Sequence, residues 1–237
     1  LSPANKKYAI PLSITGASNY SLIPSQRSAI LLLNRSILSS VAKVSGGEGI
    51  RIKPVGMHTK AEWTIQMSAI YSSLTRSNLT TAYLSNGTGG EFYTRISSTA
   101  GIQVKNGRDG DDTWTQIPLQ AGKWLHITYV HKDKKTTVYV NGKVQKVFEN
   151  SAITFGENSM IVVGNSGYRN DYLREIRLWD KALTESEIND YLYLPMDPAT
   201  PHLISYLPLS KEMETKDLKA PAGTENVTTK ARIEYVE

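Results

Sequence analysis

The chain has 237 residues, 40% hydrophobic and 21% charged, a composition near globular averages that argues against a disordered, collagen-like or coiled-coil chain. Cysteine is absent, which excludes disulfides, zinc–thiolate sites, iron–sulfur clusters and cysteine nucleophiles. The formal charge is +5 and spread along the chain, so a nucleic-acid surface is not expected; no apolar run approaches the roughly 18 residues of a membrane span, so the chain reads as soluble, without a transmembrane segment.

The chain begins at Leu1 without a charged-then-apolar leader, so a secretory signal is expected to have been removed or left out. Tyr8 to Thr15 and Ala29 to Asn34 read as two apolar strands around a turn-rich stretch. Ser45-Gly46-Gly47-Glu48-Gly49 follows as the best linker candidate. Some 45 residues with two strands cover their own apolar faces poorly. Residues 1–45 are therefore expected to be the end of a separate small domain or a docked flap, and residues 46–237 the principal domain.

From Ile50 onward, short alternating segments rich in Thr, Val, Ile and Tyr recur between Gly, Asn and Asp. The clearest is Trp63 to Tyr71, with Trp63, Ile65, Met67, Ala69 and Tyr71 on one face and Thr64, Gln66 and Ser68 on the other. Further strands are expected at Ile50–Val55, Thr80–Leu84, Phe92–Ser97, Gly101–Lys105, Thr113–Ile117, Trp124–His131, Thr136–Val140, Lys143–Phe148, Met160–Val163 and Leu173–Trp179. So many short strands imply an all-β sandwich. Asn141-Gly142 predicts a tight type I′ hairpin, whose exposed side carries Lys132, Lys134, Lys135, Lys143 and Lys146. Thr184 and Glu187 form a capping box with Leu183 against Ile188 as a staple, predicting a short helix over about Glu185 to Tyr193 that Pro195, Pro198 and Pro201 keep from continuing.

Three segments carry a family resemblance: Gly122-Lys123-Trp124-Leu125-His126-Ile127-Thr128-Tyr129, Thr137-Val138-Tyr139-Val140-Asn141-Gly142-Lys143, and Ile176-Arg177-Leu178-Trp179-Asp180-Lys181-Ala182-Leu183-Thr184-Glu185-Ser186-Glu187-Ile188. Their order and spacing resemble the laminin-G-like, concanavalin A-like jelly roll over residues 48 to 235. The resemblance implies an antiparallel jelly-roll sandwich. Where family members often carry Gly-x-Ile-Asp-Glu-Val, this chain reads Tyr172-Leu173-Arg174-Glu175-Ile176, so a role tied to that Asp does not carry over. The Lys7–Ile14 and Ala29–Asn34 segments are similar to the end of the immunoglobulin-like domain that precedes such jelly rolls in surface glycan-utilisation lipoproteins of gut bacteria.

Glucanases of this fold need two carboxylates about 5–5.5 Å apart on one strand face, and no strand here carries such a pair. Glu185, Glu187 and Asp190 fall in the helix, where capping explains them. Glu212, Glu214 and Asp217 fall in a lysine-rich loop. The histidines His58, His126, His131 and His202 are scattered without metal spacing, and no Gly-x-Ser-x-Gly elbow occurs. The loop from Asn106 to Asp112 offers Asp109, Asp111 and Asp112 as calcium ligands without the D-x-D-x-D-G pattern; a hairpin tip is the alternative. The loop Gly164 to Tyr172 combines Asn165, Tyr168, Asn170, Asp171 and Tyr172, groups that hold sugar hydroxyls and stack on sugar faces. Trp114 and Tyr93 are candidate stacking platforms, and Trp114 is alternatively core.

The leading expectation is non-catalytic binding of an oligo- or polysaccharide at a cell surface, by a secreted, periplasmic or outer-membrane protein with a lipid anchor upstream. The alternatives are a glycoside hydrolase or lyase whose acids are not adjacent in sequence, and a structural or protein-interaction module.

Overall fold

A computed structural model describes residues 8–13, 28–33, 40–47, 49–55, 61–74, 80–85, 91–105, 113–149, 159–165 and 170–237. The chain divides into two units, Leu1–Ser39 and Ser40–Glu237. In the first, β1 (Tyr8–Ser13) pairs antiparallel with β2 (Ser28–Leu33) as a two-stranded sheet.

The second unit is an antiparallel sandwich. Its strands are β3 (Val41–Ser45), β4 (Ile50–Ile52), β5 (Trp63–Ile70), β6 (Thr80–Ser85), β7 (Glu91–Ser97), β8 (Gly101–Lys105), β9 (Trp124–Lys132), β10 (Lys135–Val140), β11 (Lys143–Phe148), β12 (Met160–Asn165), β13 (Asn170–Trp179), β14 (Leu203–Leu207), β15 (Val227–Thr229) and β16 (Arg232–Val236). One sheet runs β11-β10-β9-β5-β13-β3-β16, with β14 also pairing β13; the other runs β15-β4-β12-β6-β7-β8. The one helix among the described residues, α1, spans Glu185–Asp190.

The expected alternation decides what lies between the sheets. Trp63, Ile65, Met67 and Ala69 of β5, Leu125, Ile127 and Tyr129 of β9, and Phe92 and Ile96 of β7 are all buried in one core cluster. Trp63 meets Phe92 edge-on at 5.2 Å and stacks on His131 at 5.0 Å. The Tyr129 hydroxyl donates across the sandwich to Thr94 Oγ1 at 3.0 Å, so the ring fills the core while its polar tip stays satisfied. Asn141 and Gly142 both take positive φ, 51° and 75°, and close the β10–β11 hairpin as expected. Thr184 and Glu187 form the expected capping box, although α1 ends at Asp190, with Tyr191 as its cap rather than part of the helix.

Two elements differ from the sequence reading. Thr113–Ile117 is not a strand: Trp114 makes one isolated bridge to Gln103, and Gln116, at φ 59°, turns the chain away while donating its N–H to the Ala100 carbonyl. The glycine run does not separate domains. Val41–Ser45 is a strand of the larger sheet, between β13 and β16; Gly46 and Gly47 follow it, and β4 lies in the opposite sheet. Gly47 has φ +71°, and a Cβ there would lie 1.8 Å from the Lys230 carbonyl oxygen, so this segment is a turn packed on backbone.

A packed turn and a loose linker respond differently to substitution. Gly47→Ala is expected to destabilise the sandwich by about 1–3 kcal/mol in urea unfolding. Gly122→Ala, at φ +71° with nothing within 4 Å of its Cβ, is expected to cost only the backbone strain of roughly 1 kcal/mol. Equal effects would contradict the packed-turn assignment.

Candidate functional site

The face of the larger sheet that points away from the core is polar and aromatic, and it is built by three neighbouring strands. On β5 it carries Thr64, Gln66 and Ser68; on β9, Trp124, His126, Thr128 and Val130; on β13, Tyr172, Arg174, Arg177 and Trp179. Strict alternation would put Arg177 on the opposite face from Arg174. A bulge between Arg174 and Arg177, with Glu175 at φ 55°, takes up one extra residue. Leu173, Ile176 and Leu178 thereby reach the core while both arginines share the outer face.

One half of this face is sealed. Trp179, Leu183, Ile188, Met196, Leu203 and Tyr206 form a second apolar cluster there, with Tyr191 stacked on Trp179 at 5.4 Å. The polar groups beneath are paired. Gln66 Oε1 accepts from Trp179 Nε1 at 2.9 Å, and Thr64 Oγ1 donates to the Lys181 carbonyl while accepting the Leu183 N–H. The Arg177 side chain, 1% exposed, donates to the Tyr191 and Leu194 carbonyls and to Glu175. Glu175 in turn accepts the Tyr206 hydroxyl.

The other half is open. Register places His126, Ser68 and Arg174 in one cross-strand row, and Trp124, Ile70, Tyr172 and Lys43 in the next. Trp124 is 42% exposed, and the Arg174 guanidinium lies 5.2 Å from its ring centroid. Tyr172, Arg174, Ile70 and Lys43 are half-buried, and Lys43 pairs with Glu234 at 3.3 Å. His126 is 4% exposed; burial and the positive charges of Arg177 and Arg174 hold its imidazole down to about 4, so it is neutral at pH 7. An exposed indole, a guanidinium and a phenol on rigid strands can stack on a flat ligand and donate hydrogen bonds to it.

The candidates named from the sequence are distributed differently. Asn170, Asp171 and Tyr172 begin β13 at the edge of the open half, and Asn170 is exposed. Asp171 is not a free loop carboxylate. It is fully buried in β13 and accepts the Ser72 N–H at 3.1 Å, so it fixes the exit of β5. Trp114 is 5% exposed, with Thr113 and Thr115 buried beside it rather than facing solvent. Its carbonyl accepts from Lys146 of β11, four strands from β13 in the sheet order. Tyr93 lies on β7 of the other sheet, opposite Tyr83 and Lys105. These two aromatics are thus not brought to Tyr172. Asn165 ends β12. Tyr168 and the calcium candidates Asp109, Asp111 and Asp112 lie outside the described residues. Among the described residues no three His, Asp or Glu side chains group as a metal-ligand set. Asp217 is buried and accepts from Ser205 Oγ, Tyr206 N, Lys219 N and Asn226 Nδ2, a fully engaged structural carboxylate. The sequence reading missed Trp124, Arg174 and Lys43; the signal was their alternation with Leu125, Leu173 and Ala42.

The family model described as the concanavalin A-like lectin/glucanases superfamily matches residues 45–189. Among solved structures, a Bacteroides ovatus protein proposed to bind carbohydrate aligns with TM-score 0.64 and 21% identity over 100% of this chain and 71% of its own. Domain 4 of an extracellular GH43 arabinanase from Geobacillus stearothermophilus, in complex with arabinotriose, aligns with TM-score 0.52 and 18% identity over 66% and 78%. A heptameric SAP-like pentraxin from Limulus polyphemus aligns with TM-score 0.51 and 15% identity over 66% and 82%. At these identities the likeness is one of fold. No curated protein sequence matches the chain.

The buried charged and titratable groups generate two expectations. Arg177→Ala removes the cation that pairs with Glu175 and the donor to the Tyr191 and Leu194 carbonyls, and is expected to cost about 3–5 kcal/mol in urea unfolding; a loss below about 1 kcal/mol would contradict the arrangement. Burial also holds His131 down to about 4. Below pH 6.5 the unfolded chain takes up protons at His126 and His131 that the folded chain refuses until about pH 4. Stability from these groups is therefore present above 6.5 and falls as pH drops from 6.5 to 4. The urea midpoint should decline over that window, less steeply in His126→Gln.

Proposed function

Since the chain belongs to the concanavalin A-like lectin/glucanases superfamily, we propose that it is a non-catalytic glycan-binding protein that holds its sugar chain on the open half of the larger sheet. The observation that carries this reading is the exposed Trp124, set on a sheet face beside Tyr172 and Arg174 rather than buried with the core. An aromatic ring over a pyranose contributes about 1 kcal/mol beyond the area it covers, and each hydroxyl paired to a side chain about 0.5–1.5 kcal/mol. Affinities of millimolar to micromolar order follow.

Trp124 is the platform, with Tyr172 and Asn170 supplying polar contacts at the edge. The reading also includes Asn165 and Tyr168 as sugar contacts. Asp171 acts indirectly, by holding Ser72. The Glu175 carboxylate is held by Arg177 and Tyr206 in the sealed half. Among the described residues no helix is long and apolar enough to cross a membrane. The reading includes display at a bacterial cell surface on an upstream lipid anchor, an immunoglobulin-like domain ending in β1 and β2, and calcium at Asp109, Asp111 and Asp112.

Trp124→Ala is expected to weaken binding to the best polysaccharide of a plant and host panel at least tenfold by calorimetry, with the melting temperature nearly unchanged, because an exposed side chain supports little of the fold. Release of reducing ends from any panel member would replace the binding reading with a hydrolytic one. Unchanged affinity would move the site off this face.

A further inference from the structure

The open half of the face has an imbalance of charge. Arg174 has no hydrogen-bonded carboxylate among the described residues; its one described polar contact is the Trp124 ring. Arg174 Nε, Arg177 Nε and His126 Nε2 are buried nitrogens without a hydrogen-bond partner. These atoms belong to adjacent positions, because Arg174 and His126 flank Ser68 from the two neighbouring strands and Arg177 follows Arg174 across the bulge. Glu175 gives its oxygens to Arg177 Nη2 and the Tyr206 hydroxyl, so it leaves Arg174 unneutralised. The charges acting on His126 are both positive, from Arg177 and Arg174, with no acidic group opposing them.

Buried donors and an unpaired guanidinium are costly unless something accepts from them. A neutral sugar hydroxyl would satisfy a donor but leave the charge. An anion that presents two oxygens side by side would do both, because a guanidinium offers a fork of N–H groups that matches two oxygens of a carboxylate or sulfate.

We propose that the Trp124–His126–Arg174 patch recognises the anionic group of an acidic sugar residue, with Arg174 swinging from the indole onto the carboxylate or sulfate ester and Trp124 thereby freed to stack on the ring that bears it. His126, neutral and across β5 from the two arginines, supplies a hydrogen-bonding floor without adding a competing charge. Lys43, one row away, is paired with Glu234, which leaves the anion to Arg174. The inference rests on the glycan-binding reading and names the class of glycan.

The test uses the full chain and matched polymers. Polygalacturonate is compared with its methyl ester for the carboxylate source, and carrageenan with the neutral galactan agarose for the sulfate source, by affinity electrophoresis and calorimetry. At least tenfold preference for one acidic member over its neutral counterpart is expected, reduced in 0.5 M NaCl as screening shortens to a few ångströms. Arg174→Gln should abolish that preference, and Arg174→Lys should keep part of it, with unfolding midpoints confirming that both variants fold. Equal binding of acidic and neutral members, or a preference that survives Arg174→Gln, overturns the inference. If the neutral polymers bind and Trp124→Ala removes that binding, the glycan reading stands while the acidic specificity falls. If no polysaccharide binds, both fall.

Discussion

The buried guanidinium of Arg177 is the constraint around which the outer face of the larger sheet is arranged. Withdrawing such a charge from water costs several kcal/mol unless its donors find strong acceptors. Three are supplied: the Glu175 carboxylate and the carbonyls of Tyr191 and Leu194. The two carbonyls belong to the segment that leaves α1, so the charge draws that segment across the sheet and fixes where it lies. Tyr191 is then stacked on Trp179. Glu175 holds the Tyr206 hydroxyl, which also accepts the Met196 N–H. One charge thus ties together a strand bulge, the exit of the helix and β14.

That arrangement also explains why the face has two different halves. The helix and the chain after it cover the sheet over Thr64, Gln66 and Trp179, and the polar side chains there are matched to one another and to backbone groups. The cover does not extend to the row of Trp124, Ile70 and Tyr172. Both halves stand on the same strands, β5, β9 and β13, so the open half inherits the rigidity of a sheet sealed on its other side by the core. A binding surface built on strands keeps its side chains in place more closely than one built on loops. Asp171 contributes in the same sense, since it anchors Ser72 at the point where β5 ends.

Much of this fold was legible in the sequence because its rules are local. Alternation located β5, β7 and β9; Asn141-Gly142 located the β10–β11 hairpin, and the capping box located α1. The resemblance to concanavalin A-like jelly rolls carried the sandwich as a whole. What escaped depends on tertiary context. Val41–Ser45 was not read as a strand and fell with residues 1–45, because glycines in a linker and glycines in a packed turn look alike until Lys230 is seen against Gly47. β15 and β16 are short and pair with β4 and β3 from the far end of the chain, and no local signal specifies such pairing. The β13 bulge left only a faint trace, the spacing of three and then two between Leu173, Ile176 and Leu178. Without it, Arg177 counts onto the core face and the cluster around it cannot be inferred. Trp114 and Tyr93 were grouped with the β13 loop by residue type alone, and the sheet order separates them.

The energetic logic of the open half follows from the resting place of Arg174. In the unliganded chain its guanidinium is held by the Trp124 ring, an interaction of roughly 0.5–1 kcal/mol at an exposed site and somewhat more where desolvated. This is weaker than a forked hydrogen-bonded pair with an anion. On the proposed reading, an acidic sugar therefore gains the difference between the two, together with the area of the indole it uncovers, and a neutral sugar gains only the part of the indole that the guanidinium already leaves exposed. The discrimination comes from an unneutralised charge poised on an aromatic face, and its size is limited by the water that reaches a half-exposed tryptophan. Modest affinity for each sugar residue, multiplied along a polymer that presents the same anion repeatedly, is the regime such a surface suits.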